Sequence, residues 1–141
     1  MSFAPIAIFA YNRPSHVEVL INSLLGNAEY KNSPITVYCD GPKTEEEVDK
    51  VKQTRGIIKK LLPTAKIVKR EKNLGLANSL IKGVSEQCSE YGRVIVLEDD
   101  LELAKDALAY FNKALDIYVN EDRVMHISGY TLPIEKSFNE G

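Results

Sequence analysis

No apolar run in this chain approaches the roughly 20 residues that a bilayer span requires, and no membrane-crossing segment is expected. The opening stretch, MSFAPIAIFAYNRP, has neither a basic head nor a small-residue cleavage site, so it reads as a first strand and not as a leader. Cysteine is limited to Cys39 and Cys88. That is too few for a disulfide framework, and reduced thiols in a cytoplasmic protein are the expectation. Histidine is as scarce, with His16 and His126 alone, which excludes a histidine-rich metal centre and leaves oxygen ligands to hold any cation. An excess of one charge is lacking too. The formal net charge is −2, and nothing advertises a nucleic-acid surface. The basic run KIVKREK (residues 66–72) is local and alternates with apolar residues, as a solvated strand edge does.

What is present is enough for one domain, residues 1–141, with 44% hydrophobic residues to fill a single core. APIAIFAY is a strand-length apolar run, as in a strand covered on both faces. NRPSHVEVLINSLLGN follows as a helix: Pro14 suits its first turn, Val17, Leu20, Ile21, Leu24 and Leu25 form an apolar stripe, and Gly26 can end it. SPITVYCD is predicted as a second strand closing on Asp40. TEEEVDKVKQTRGIIKKLL is predicted as a second helix opened by a capping box of Thr44 and Glu47. AKIVKR is a third, more polar strand nearer the sheet edge. After the turn EKNLGL come a third helix, ANSLIKGVSEQCSEY, and a fourth strand, GRVIVLEDD, whose apolarity predicts the most central place. A fourth helix, AKDALAYFNKALDIYVNED, and a fifth strand, RVMHISGYTLP, complete the pattern, and the tail IEKSFNEG is expected to fray. Strands alternating with helices predict an α/β fold with an open, mostly parallel sheet and helices on both faces.

Such sheets bind ligands beyond the carboxyl ends of their strands, near a reversal of strand order. The residues just past each strand are Tyr11, Asn12 and Arg13; Asp40 and Gly41; Arg70 and Asn73; Glu98, Asp99 and Asp100; then Ser128 and Gly129. Each predicted strand delivers polar groups to one rim. The acidic triplet stands out, because a buried strand runs directly into three like charges that need something positive among them. A metal-bridged diphosphate meets that need, since Mg2+ or Mn2+ combines a few carboxylates with water and phosphate oxygens. The first turn, AYNRPS, is not G-x-G-x-x-G; a P-loop and a G-x-S-x-G elbow are also missing. Blander readings stay open at each position. Acids favour the dipole of a following helix, although Glu102 and Asp106 fit that role better. Asp40 is a turn-former before Gly-Pro, Arg13 a surface residue, and Asn73 and Gly75 turn chemistry. His126 reads as a core histidine, and Tyr110, Phe111, Tyr118 and Tyr130 as core aromatics, with Tyr11 placed to touch a base.

The segments PIAIFAYNRP, ITVYCDG, NLGLANS, VIVLEDDLELAKDALAYF and VMHISGY occur in an order that resembles the nucleotide-sugar-binding half of GT-A glycosyltransferases. The resemblance is to the large family-2 group and, more closely, to the inverting N-acetylglucosaminyltransferase I type. LEDDLELAKDALAYF is its most specific part. It implies a Rossmann-like GT-A sheet that transfers a hexosyl or N-acetylhexosaminyl group from a UDP-linked donor, with Mn2+ or Mg2+. The acceptor would be a glycan or lipid-linked hydroxyl, as in polysaccharide biosynthesis. It further implies Asp100 as the metal ligand, Asp99 and Glu98 on the ribose and donor sugar, and Asp40 on the uracil imide. Arg13 and the Ala10–Tyr11 backbone would lie along the nucleotide and its diphosphate. Asn73, Gly75 and Asn78 would shape the nucleotide pocket, with Asn78 on the inward face of the third helix and Lys82 one turn on as a further candidate.

The resemblance assigns no catalytic base, because such enzymes place that aspartate and most acceptor contacts after the fifth strand. The chain is therefore expected to be the donor-binding part of a longer enzyme, or else a short family member that lost its acceptor half, without complete transfer of its own. Three readings compete. A nucleotidyltransferase wants a Gly-rich first turn; a non-catalytic nucleotide-sugar-binding domain needs no base; a response-regulator-like domain carries its acids after the first strand, where this chain has AYN.

Overall fold

The computed structural model describes residues 3–130. Four strands, β1 (Ile6–Ala10), β2 (Ile35–Cys39), β3 (Lys66–Lys69) and β4 (Ile95–Glu98), form one sheet in the order β3-β2-β1-β4. Every pairing in it is parallel, with Ile8 opposite Val37 on one side and Leu97 on the other. The helices are α1 (Pro14–Leu25), α2 (Val48–Leu61), α3 (Leu76–Tyr91) and α4 (Ala107–Ile117), with short 3₁₀ turns at Ala28–Asn32 and Glu45–Glu47. The α/β class and the parallel sheet are as the sequence predicts.

The pleat sorts the core into two layers. Ile6, Ile8, Ala10, Val37, Cys39 and Leu97 face one way, against Val17, Leu20, Ile21 and Leu24 of α1, Ile58 of α2 and Leu108 of α4. Each large aliphatic side chain buried there contributes about 1.5–3 kcal/mol. On the other face α3 covers Ala7, Phe9 and Tyr38. The Phe9 and Tyr38 rings stack at 5.1 Å, and a Cβ on Gly83 would lie 2.7 Å from the Phe9 ring, so only glycine lets α3 approach. The inward stripe of α3 is Ser79, Gly83 and Gln87, and Gln87 donates to the Tyr38 hydroxyl at 3.1 Å.

Several sequence expectations fail here. The fourth strand is an edge of this sheet, not its centre: β4 pairs with β1 alone among the described residues. Its burial alternates, with Val96 36% exposed, because α3 lies over β1 and β2 and leaves the same face of β4 open. No fifth strand forms over residues 123–130; that stretch has no ladder partner, and Met125 and His126 are exposed. Residues 131–133 of the expected strand, and the tail expected to fray, lie outside the described residues. The fourth helix stops at Ile117, and of the expected core aromatics Phe111 alone packs against the core, while Tyr110, Tyr118 and Tyr130 are exposed. Finally, Thr44 makes no side-chain cap, so the capping box does not form. The Glu47 carboxylate turns toward the loop after β1 instead.

Candidate active site

Strand order reverses between β1 and β4, since β2 and β3 are laid down on one side of β1 and β4 on the other. The loops after β1 and β4 therefore diverge there and open a crevice. From the β1 side comes Arg13, the residue before the proline that starts α1. Its guanidinium pairs with Asp99, which is buried, and Nε donates to Asp99 Oδ2 at 3.4 Å. A second arm stands 3.9 Å from Asp100, whose side chain is half exposed. The positive partner of the buried member of the triplet is thus an arginine. Burying Asp99 without it would leave an uncompensated charge.

The same β1 loop is tied to the loop after β2. The Tyr11 hydroxyl donates to Glu47, Asn12 Nδ2 donates to the other Glu47 oxygen at 3.2 Å, and the Lys43 amide donates to Glu47 at 2.9 Å. Burial and this carboxylate raise the Tyr11 pKa above the usual tyrosine value. The Tyr11 hydrogen bond, with help from the Lys43 amide, lowers that of Glu47. The sequence marks Glu47 only as a cap, and no local pattern signals its bond to a tyrosine on another loop.

At the end of β2, Asp40 is buried and accepts three backbone N–H groups: Gly41 at 2.9 Å and Leu74 at 2.8 Å on Oδ1, and Gly75 at 3.1 Å on Oδ2. Asn73 completes the link by donating to the Gly41 carbonyl at 2.8 Å and accepting from the Gly75 amide at 3.0 Å. Gly75 has φ +77°, a left-handed conformation suited to glycine, directly before α3. Gly41 is equally constrained, since a Cβ there would fall 2.7–2.8 Å from the backbone of Glu71 and Lys72. From behind, one Arg55 nitrogen donates to the carbonyls of Asp40 at 3.2 Å and Arg70 at 2.7 Å. NLG is thus a loop clamped onto β2.

These loops enclose a pocket of about 250 Å³. Ala10, Tyr11, Arg13 and Asp40 line one part of its wall, and Asn73, Gly75, Glu98 and Asp99 another. Eight sequence-selected positions therefore converge. Asn78, Lys82 and Asp100 do not line it. Asn78 is exposed, not inward-facing, and donates to the Leu74 carbonyl one turn back; Lys82 on the same face is exposed too. Ser128 and Gly129 sit by α4, where the Ser128 carbonyl accepts from Tyr110 and Gly129 lies against the Phe111 ring. The strand-end pattern in the sequence does not mark Phe9, Lys43, Leu76 and Ser79 as part of the wall. The signal for Ser79 was the small-polar stripe it makes with Gly83 and Gln87.

The family model described as Glycosyl transferase family 2 matches residues 6–121. The chain belongs to glycosyl transferase family 2. No curated protein matches it significantly. The family match begins on β1 and runs past α4, so it takes in the whole sheet and every loop of the pocket. Membership implies a glycosyltransferase domain that works between a nucleotide-sugar donor and an acceptor.

Family 2 enzymes commonly use a divalent cation. Among the described residues no three His, Cys, Asp or Glu side chains are grouped so as to hold one by themselves. Asp99 is engaged by Arg13, and Asp100 keeps a half-exposed carboxylate whose one ion-pair partner among the described residues is the Arg13 arm 3.9 Å away. One free carboxylate suits a cation that brings most of its oxygens as phosphate and water, as Mg2+ and Mn2+ do. The residues fit a cation that arrives with its diphosphate.

Proposed function

We propose that this domain binds a UDP-linked sugar in the pocket at the β1–β4 crevice and presents its anomeric carbon to an acceptor hydroxyl. The observation that carries the reading is the convergence of residues from four strand ends on one pocket inside a family 2 domain. Arg13, half exposed in the pocket wall, lies along the diphosphate. The Asp40 Oδ2 atom, which accepts one N–H among the described residues, has capacity left for the uracil imide hydrogen. Tyr11 and the Ala10 backbone line the base, Asn73 and Gly75 shape its far wall, and Asp99 and Glu98 face the ribose and the sugar.

Asp100 is the residue that would hold Mn2+ or Mg2+. A bound cation there would supply Lewis-acid stabilisation of the leaving diphosphate. Transfer with inversion of a hexosyl or N-acetylhexosaminyl group to a glycan or lipid-linked hydroxyl follows from the likeness of LEDDLELAKDALAYF to the N-acetylglucosaminyltransferase I type. A cytoplasmic site of action agrees with two unpaired thiols, one of them exposed.

Calorimetric titration of UDP, with Mn2+ and then with chelator, tests the reading. Metal-dependent binding that weakens about tenfold or more in Asp100→Ala, a loss of about 1.4 kcal/mol, is expected. GDP and TDP controls report the base. Folded protein that binds no nucleoside diphosphate under either condition would overturn the donor site.

A further inference from the structure

Across the turn that follows β2, a second concavity of about 380 Å³ lies between α2 and the end of β3. Whereas Lys43 faces the donor pocket, its neighbour Pro42 faces this groove. Lys52, Arg55, Lys59 and Lys69 line it, over a floor that includes Val51 and Gly56, and no carboxylate is in its wall. Lys52, Arg55 and Lys59 follow one another at helical spacings of three and four residues, so they share a face of α2. Like charges so placed destabilise a helix by about 0.2–0.5 kcal/mol per pair. Among the described residues, none of the three lysines has an ion-pair partner. Arg55 spends its hydrogen bonds on two carbonyls, leaving its charge without a carboxylate, and its Nε is buried without a partner.

Gly56 is the second, independent observation. It sits mid-helix in α2, where glycine costs roughly 0.5–1 kcal/mol relative to alanine. Nothing inside the protein asks for it: its φ is not left-handed, and a Cβ built there meets no atom within 4 Å. A repulsive ladder and an uncompensated glycine thus coincide at one groove, and both are explained by an anion that seats against the bare helix backbone. We propose that this groove is a binding site for a small, multivalent phosphate anion, separate from the donor pocket. Its concavity and the exposed acids Glu45, Glu46 and Asp49 at the start of α2 oppose an extended polyanion or a membrane surface, which would have to lie across them.

The test is a pyrophosphate titration followed by backbone amide shifts at low salt. Shifts are expected to concentrate on residues 52–60 and around Lys69, and to persist in Arg13→Met, which removes the guanidinium from the wall of the donor pocket. Affinity should fall about tenfold or more in Lys52→Gln/Lys59→Gln. It should fall likewise in Gly56→Leu, which fills the floor, keeps every charge and favours the helix. Shifts confined to the donor loops, shifts spread over unrelated lysines such as Lys31 and Lys113, or unchanged binding by Gly56→Leu would each overturn the site. Binding to vesicles containing phosphatidylglycerol without binding to pyrophosphate would overturn its assignment to a small anion.

Discussion

Arg13 and Asp99 form an ion pair across the point where the sheet reverses its strand order, one residue from the loop after β1 and the other from the loop after β4. The acid is 3% exposed, whereas the arginine side chain is 46% exposed. That asymmetry fixes the acid as the pair's buried anchor and leaves the base able to meet a ligand. Removing Arg13 strands a buried carboxylate; removing both does not. Arg13→Met is therefore expected to destabilise the fold by about 1–3 kcal/mol, less than a fully buried pair because water reaches the guanidinium. Asp99→Asn in the Arg13→Met background should recover part of that loss. Urea denaturation of the single and double variants measures the coupling, and additive losses would show that the pair contributes nothing.

The Asp40 carboxylate does for the NLG loop what a turn of helix does for its own amides: it accepts the N–H groups of Gly41, Leu74 and Gly75. An amide in its place can keep its oxygen on the Gly41 and Leu74 amides, but then turns an NH2 group toward the Gly75 N–H. Asp40→Asn should cost about 1–3 kcal/mol and raise amide exchange at Leu74 and Gly75 above the rest of the sheet. It should also weaken UDP binding. Exchange that rises uniformly would mean that the carboxylate supports the fold as a whole and not this loop.

The sheet and its helices were legible because burial on both faces leaves continuous apolar runs, and the pocket because a parallel sheet gathers its strand ends. What escaped was set by long-range packing. The triplet's need for a positive partner was readable in VIVLEDD, but the partner of Asp99 lies 86 residues away in Arg13, and nothing local marks it. The GT-A resemblance implies Asn78 on the inner face of α3, but its side chain is exposed and donates to the Leu74 carbonyl. The inner face is Ser79, Gly83 and Gln87, where Gly83 leaves room for the Phe9 and Tyr38 rings and Gln87 donates to the Tyr38 hydroxyl. The edge place of β4 does not follow from its composition, since apolarity cannot say which neighbouring strand or helix covers it.

The Tyr11–Glu47 bond gives the donor-side loops an acid sensitivity. The folded-state pKa of Glu47 lies below its usual value of 4.5, so its contribution is fully present above that value and is lost as pH falls through the depressed pKa. Tyr11, raised above its usual 10.0 by burial and by Glu47, contributes below that value and loses its contribution on alkaline titration. Tyr11→Phe should melt below the parent at pH 7, and the gap should narrow as the buffer is taken under about pH 4.5. Melting curves between pH 7 and 3 check this. A gap that is constant across that range would place the loss in packing rather than in the hydrogen bond.

The two thiols should separate in reactivity. Cys39 is 1% exposed on β2, and burial pushes its pKa up to about 11 despite the nearby Arg55 and Lys69 charges. Cys88 is exposed on α3. The thiolate is the nucleophile, so at pH 8 iodoacetamide should label Cys88 promptly and reach Cys39 only when β2 opens. Because that opening requires unfolding of the sheet's interior, the Cys39 rate reads global stability. A ligand of the native pocket present at a hundredfold excess over its Kd stabilises by about 2.7 kcal/mol, which slows such labelling about a hundredfold. UDP with Mn2+ should therefore protect Cys39 and leave Cys88 unaffected. Equal labelling of both thiols in the folded protein would contradict the burial of β2, and equal slowing of both by UDP would indicate a reagent effect and not binding.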